Sequence, residues 1–194
     1  MSQKVTKHSL SVAVVSTSMR PSSRSRILAE QIAVQIKSAG GHSQFIDLAL
    51  TPLPMYHGGE LTTEQAEIVH SINQAEALVF CVGVYNAGVN ASAHNLMHWL
   101  LDSSGPKHKP FFLGVSAGSL SSLFSTEAFS RSLMYEINAV QVVPPCFVTE
   151  DSELTGDTGL SSGIAPRIEQ AVRVLLAFGY ASRDLRASDN YNNA

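Results

Sequence analysis

The chain has 194 residues, enough for one domain with its own core, and its 44% hydrophobic content with 15% charged residues excludes a disordered polymer. A formal net charge of −3 with no basic tract gives no electrostatic footprint for nucleic acid. The apolar runs fall well short of the roughly 20 residues of a bilayer-spanning helix, and the first ten residues carry no signal-peptide pattern, so a cytoplasmic protein without membrane contact is expected.

In chain order, Leu10–Val15 (LSVAVV) is short and β-branched and ends in Ser16-Thr17-Ser18, the pattern of a buried strand entering a polar turn. A helix is predicted from Ser23, with Ile27, Leu28, Ile32 and Ile36 along one face and Gly40-Gly41 as its stop. Gln44–Leu48 reads as a second strand, followed by the Pro- and Gly-bearing loop Thr51–Gly59. Thr62 is placed as the N-cap of a helix running to about Gln74, with Gln65 closing a capping box.

Ala77–Val82 (ALVFCV) is apolar at consecutive positions, as a central parallel strand buried on both faces must be. A glycine-bearing loop and a helix over about 91–101 follow. Pro110–Val115 reads as a strand, Ser122–Ile137 as a helix, and Val140–Val143 with Phe147-Val148 as a final strand region. The last helix is predicted over 164–178. Residues 10–180 then form the ordered core of a single domain, and 181–194 a loose polar tail. Strands alternating with helices specify a doubly wound parallel sheet of about five strands in a three-layer α/β sandwich. Ligands of such sheets bind beyond the carboxyl ends of the strands, here at the loops starting at Ser16, Gly83 and Ser116.

The first of these loops, Ser16–Arg26, sets hydroxyls and guanidinium groups at a helix N-terminus, a combination suited to a phosphate. A solvated turn with Ser23 as an ordinary N-cap is the plainer reading. Neither GxGxxG after the first strand nor GxxxxGK[ST] anywhere is present, which disfavours a dinucleotide Rossmann site and an ATP-binding loop. In the second loop Gly83 admits close approach of a ligand, and Tyr85 and Asn86 can border a planar heterocycle. Gly114–Gly118 fits GxSxG, but the last histidine, His108, precedes Ser116, so the chain order of a hydrolase triad is not met. His94 and His98 stand one helical turn apart, yet Asn95 occupies the glutamate position of a zincin and no metal site is assigned. Cys81 and Cys146 sit inside apolar runs and read as buried thiols.

Taken together, three segments resemble the NADPH-dependent FMN reductase family. Thr17–Ala29 (TSMRPSSRSRILA) is similar to its pattern GSxRxxSxNRxLA, matching at Ser18, Arg20, Ser23, Arg26, Leu28 and Ala29. Gly83–Trp99 is similar to PEYNxSxPGxLKNxxDW, matching at Tyr85, Asn86, Asn95 and Trp99, and Asp47–Tyr56 resembles the family's D-L-…-LP-x-Y stretch. Thr17 departs from the turn glycine, Val84 from the glutamate, Asn90-Ala91 from Pro-Gly, and His94 and His98 from the lysine and aspartate. The resemblance implies a flavodoxin-like fold binding FMN, with NADPH or NADH as electron donor and a small-molecule electron acceptor. It implies a phosphate site of Ser18, Arg20, Ser23 and Ser25 in the loop opened by Thr17. The ring would be bordered by Gly83, Val84, Tyr85 and Asn86, with Ser116, Ala117 and Gly118 on its pyrimidine side. No catalytic side chain is assigned, since the hydride chemistry belongs to the cofactor. A homodimer or homotetramer is implied, with the helix bearing Trp99 against its mate and Pro52–Tyr56 leaning over the partner's flavin. A non-catalytic flavin carrier is the alternative; such carriers are more acidic than −3.

Overall fold

A computed structural model describes residues 8–103, 107–149, 153–155 and 159–187. Its main sheet contains β1 (Ser11–Ser16), β2 (His42–Asp47), β3 (Ala77–Tyr85), β4 (Gly88–Val89), β5 (Pro110–Ser116), β6 (Val140–Gln141) and β7 (Cys146–Val148). The order is β2-β1-β3-β5-β6, with β7 continuing beside β5 where β6 leaves off. These pairs are parallel, from Ser11 beside His42 to Ser116 beside Val148. This is the flavodoxin-like order, whose switch point lies between β1 and β3.

The side-chain period of two explains the layers. Val12 and Val14 of β1, Val79 and Cys81 of β3 and Phe112 of β5 face α1 (Arg24–Ser38) and α5 (Ala165–Arg186). Ala13, Val15, Leu78, Phe80, Phe111 and Leu113 face α2 (Thr63–Gln74), α3 (Ala91–Asp102) and α4 (Glu127–Glu136). On α1, Leu28, Ile32 and Ile36 are fully buried. They approach closely because β5 offers Gly114, where a Cβ would lie 2.9 Å from Cys81 Sγ and 3.1 Å from both Ile32 Cδ1 and Leu28 Cδ2. The first glycine of the GxSxG match thus serves helix packing.

Ser23 caps α1, its Oγ accepting from Arg26 N–H at 3.2 Å, and Gly40 ends the helix at φ +86°. Thr62 and Gln65 form the expected capping box. Four features differ from the sequence expectations. The second loop is a hairpin: Tyr85 pairs with Gly88, and Asn86 (φ +50°) and Ala87 (φ +60°) turn the chain. Two central residues at positive φ define a type I′ turn, whose twist matches the strands it joins. The helix expected from Ser122 begins instead as a 3-10 segment, Leu120–Thr126, before α4. A small antiparallel pair, β8 (Leu154–Thr155) with β9 (Gly159–Leu160), lies outside the main sheet.

The fourth difference corrects the tail. α5 continues to Arg186 in place of a loose segment from 181; residues 188–194 of that segment lie outside the described residues. Gly179 lets Leu10 pack against the helix, a Cβ there falling 2.2 Å from Leu10 Cδ2. Tyr180 Oη accepts from Leu10 N–H at 3.3 Å, and Arg183 donates to His8 O at 3.0 Å and to Glu76 Oε2 at 2.9 Å. Among the described residues no helix is long and apolar enough to cross a membrane.

Candidate functional site

The carboxyl ends of β1, β3 and β5 open on one cavity of about 270 Å³, lined by Arg20, Ser22, Ser23, Arg24, Ser25, Gly83, Val84, Tyr85, Ser116 and Ala117. Parallel pairing puts Gly83 directly beside Ser116, so the second and third loops meet by register. The first loop meets them because α1 starts there and packs back over β3 and β5.

The α1 end of the cavity has the chemistry to receive an anion. No acidic residue occupies the first turn of α1, and no carboxylate is among the lining residues. Ser23 and Ser25 hydroxyls are buried and 3.2 Å apart, and the helix dipole adds partial positive charge. Arg20 is exposed at the rim. Arg24 Nη1 donates to Thr149 O at 3.0 Å, anchoring the start of α1 to the chain after β7.

The opposite end is formed by backbone and a ring. Tyr85 folds back over Gly83, where a Cβ would lie 2.9 Å from Tyr85 Cε2. Val84, in the place of a glutamate, packs against the α2/α3/α4 core and brings no charge. Ala117 N–H is engaged by Val148 O at 3.0 Å. The donor set therefore fits a phosphorylated ligand with a flat group: hydroxyls, guanidinium and a helix N-terminus at one end, glycine backbone and an aromatic ring at the other.

Eight expected residues line the cavity: Arg20, Ser23, Ser25, Gly83, Val84, Tyr85, Ser116 and Ala117. Four do not. Thr17 is fully buried, with Oγ1 lying 3.0 Å from both Cys81 O and Asn90 Oδ1. Ser18 is buried and its Oγ accepts from Arg20 N–H at 3.2 Å, shaping the loop. Asn86 forms the exposed hairpin turn, and Gly118 is exposed with open space where a side chain would begin. Ser22 and Arg24, both on the wall, stand at variable positions of the motif and carry no separate sequence signal. The lining around Ser116 contains no histidine to act as its base.

Motif residues away from the cavity tie its segments together. Arg26 Nε lies 3.2 Å from Asp47 Oδ2, a charge contact joining α1 to the end of β2. Asn95 Oδ1 accepts from Tyr56 N–H at 2.7 Å and its Nδ2 donates to Pro54 O at 2.8 Å. Trp99 Nε1 donates to the same carbonyl at 2.9 Å. The Pro52–Tyr56 loop is thereby fixed on α3. His98 stacks on Tyr56 and His94 meets the Phe129 ring edge-on, so each has a ring neighbour. Burial, and secondarily His98, holds His94 below the ordinary histidine range. Burial raises both thiols, Cys81 and Cys146, above the usual range and keeps them protonated.

The fold has solved counterparts of similar size. FerB, a flavoenzyme NAD(P)H:(acceptor) oxidoreductase from Paracoccus denitrificans, superposes with a TM-score of 0.74 at 16% identity, over 89% of this chain and 98% of that one. An NADH:FMN oxidoreductase, EMOB, in its apo form gives 0.70 at 16% identity over 88% and 90%. An oxidoreductase from Corynebacterium diphtheriae gives 0.68 at 20% identity over 90% and 98%. At such identities these likenesses speak to the fold. No curated protein matches the sequence. The family model for NADPH-dependent FMN reductase matches residues 10–153, which span all three cavity loops and most of the chain. The chain belongs to the NADPH-dependent FMN reductase family.

Proposed function

We propose that this oxidoreductase of the FMN reductase family holds FMN in the cavity at the ends of β1, β3 and β5. In this reading it passes electrons from NADPH or NADH to a small acceptor such as free flavin or a quinone. The observation that carries the reading is the asymmetry of the cavity. An anion-binding helix start with Arg20, Ser23 and Ser25 lies across from the Gly83–Tyr85 backbone and ring. Bound FMN would supply the two-electron chemistry, a hydride accepted from the nicotinamide and electrons released to the second substrate.

The protein's contribution is position and electrostatics. Ser23 and Ser25 donate to phosphate oxygens, Arg20 closes over them from the rim, and the α1 dipole favours their charge. Gly83 admits a flat ring system to the backbone, and Val84 leaves that end uncharged. The cavity is close to the lower bound of about 300 Å³ for small-molecule sites. That size suits the phosphate and its chain, and exposed Tyr85 at the other end would leave a bound flavin open to a nicotinamide and to an acceptor.

The chain is further read as one domain working as a homodimer or homotetramer. Exposed Met55 and Tyr56, on the loop held to α3, support association on that side. The experiment is an FMN titration followed by anaerobic addition of NADPH or NADH. Binding with bleaching of the flavin absorbance and nicotinamide oxidation is expected. Binding without nicotinamide oxidation leaves a carrier, and no binding at all overturns the flavin reading.

A further inference from the structure

Asn90 stands at the N-cap of α3, where an asparagine side chain ordinarily accepts from the helix's own N–H groups. It makes no such bond. Asn90 is 8% exposed, and its side chain is turned toward the cavity loops. Oδ1 accepts from Gly83 N–H at 3.1 Å and lies 3.0 Å from Thr17 Oγ1. Nδ2 donates to Thr17 O at 2.9 Å and to Ser92 Oγ at 2.7 Å, and Ser92 Oγ donates to Thr17 O at 2.5 Å. The Asn90 N–H donates to Gly83 O at 3.0 Å. Both protons of the amide are thus used, Oδ1 accepts from Gly83 N–H and shares the single Thr17 hydroxyl proton with Cys81 O, and both backbone groups of Gly83 go to one residue.

The location gives this network its consequence. The backbone ladder between β1 and β3 ends with Thr17 N–H bonded to Cys81 O. Past that point the chains part, one toward Ser18–Ser25 and the other toward Gly83–Tyr85, which are the two ends of the cavity. Asn90 bridges them just where backbone pairing stops. Thr17 and Asn90 also stand at the positions where the family pattern has glycine and proline. Glycine has no hydroxyl and proline no amide side chain, so the pattern's own residues cannot form this clip. The two departures from the pattern are one device in space.

We propose that Asn90 is a positioning residue, setting the separation of the phosphate loop from the ring-edge loop and so the preference for a phosphorylated flavin over an unphosphorylated one. The inference rests on the FMN reading above. Its test compares the dissociation constants of FMN and riboflavin, by flavin fluorescence quenching, for the wild type, Asn90→Ala, Asn90→Asp and Thr17→Val. Asn90→Asp keeps the shape and the Gly83 acceptor but sets a carboxylate oxygen against Thr17 O. Thr17→Val keeps the shape and deletes one hydroxyl. Urea unfolding of each apoprotein accompanies the titrations, and the two shape-conserving variants carry the measurement if Asn90→Ala does not fold.

Loss of a buried, hydrogen-bonded amide should weaken FMN binding about tenfold or more, while riboflavin affinity changes by less than about threefold. The FMN preference therefore shrinks in both Asn90 variants and, to a smaller degree, in Thr17→Val. Apoprotein stability that falls while the FMN-to-riboflavin ratio stays at its wild-type value would make Asn90 structural only and overturn the inference. A wild type that binds riboflavin as tightly as FMN overturns the phosphate reading, and this inference with it.

Discussion

Ala87 holds φ +60° in the hairpin that carries Tyr85, a conformation that costs an L-residue with a Cβ roughly 1–2 kcal/mol. Type I′ turns favour glycine at this place after asparagine, so Ala87→Gly should raise stability by about 1 kcal/mol in urea unfolding. An unchanged or lowered midpoint would mean that the turn is not of this type in solution. Gly114 is the opposite case, since its space is filled by Cys81, Leu28 and Ile32. Gly114→Ala should destabilise by about 1–3 kcal/mol through overpacking of α1 on β5. A neutral substitution would show that α1 sits further from the sheet. At this scale the sequence is partly readable. Ser23 is legible as a cap and Gly83 as a place for close approach, because both act through their own backbone. The clipping role of Asn90 is not, because its partners Thr17 and Gly83 come together only once β1 and β3 pair.

The elements that frame the cavity are joined by motif residues that never reach it. Asn95 and Trp99 of α3 converge on Pro54 O, and Asn95 also holds Tyr56 N–H. Replacing Asn95 by Ala leaves Tyr56 N–H without its partner and Pro54 O with Trp99 alone, and should cost about 1–3 kcal/mol. Proteolysis within 52–59 should speed up together with that loss. Stability lost with the loop still resistant would place the bonds elsewhere. Strong two-sided burial makes β3 plain from ALVFCV alone, and the 3.6-residue pattern with its caps marks out α1 and α2. The end of α5 is hidden for a physical reason. Its last turns are held by Leu10, His8 and Glu76, contacts that a local pattern of polar residues cannot announce. The hairpin at Asn86-Ala87 is obscured because alanine occupies a position where glycine would signal the turn.

For the whole molecule, acid should erode stability in part through His94, which packs on Phe129 with its protonated form disfavoured by burial and then by His98. Below the usual histidine value of 6.5 the unfolded chain takes up a proton that the folded one resists. Stability then falls with pH through that value and levels off only below the lowered folded value. His94→Gln should lose less stability between about pH 7 and about pH 5 than the wild type, and equal losses would assign the acid sensitivity to other groups. The three-layer order and the switch-point site follow from alternating elements, and the family motifs locate both ends of the cavity. In the proposed function the start of α1 receives the phosphate of FMN. Fluorescence-quenching titration of Arg20→Ala with FMN tests it most directly. Loss of the charge-assisted contacts should weaken FMN binding by roughly 10- to 100-fold with apoprotein stability preserved. An affinity equal to that of the wild type would contradict it.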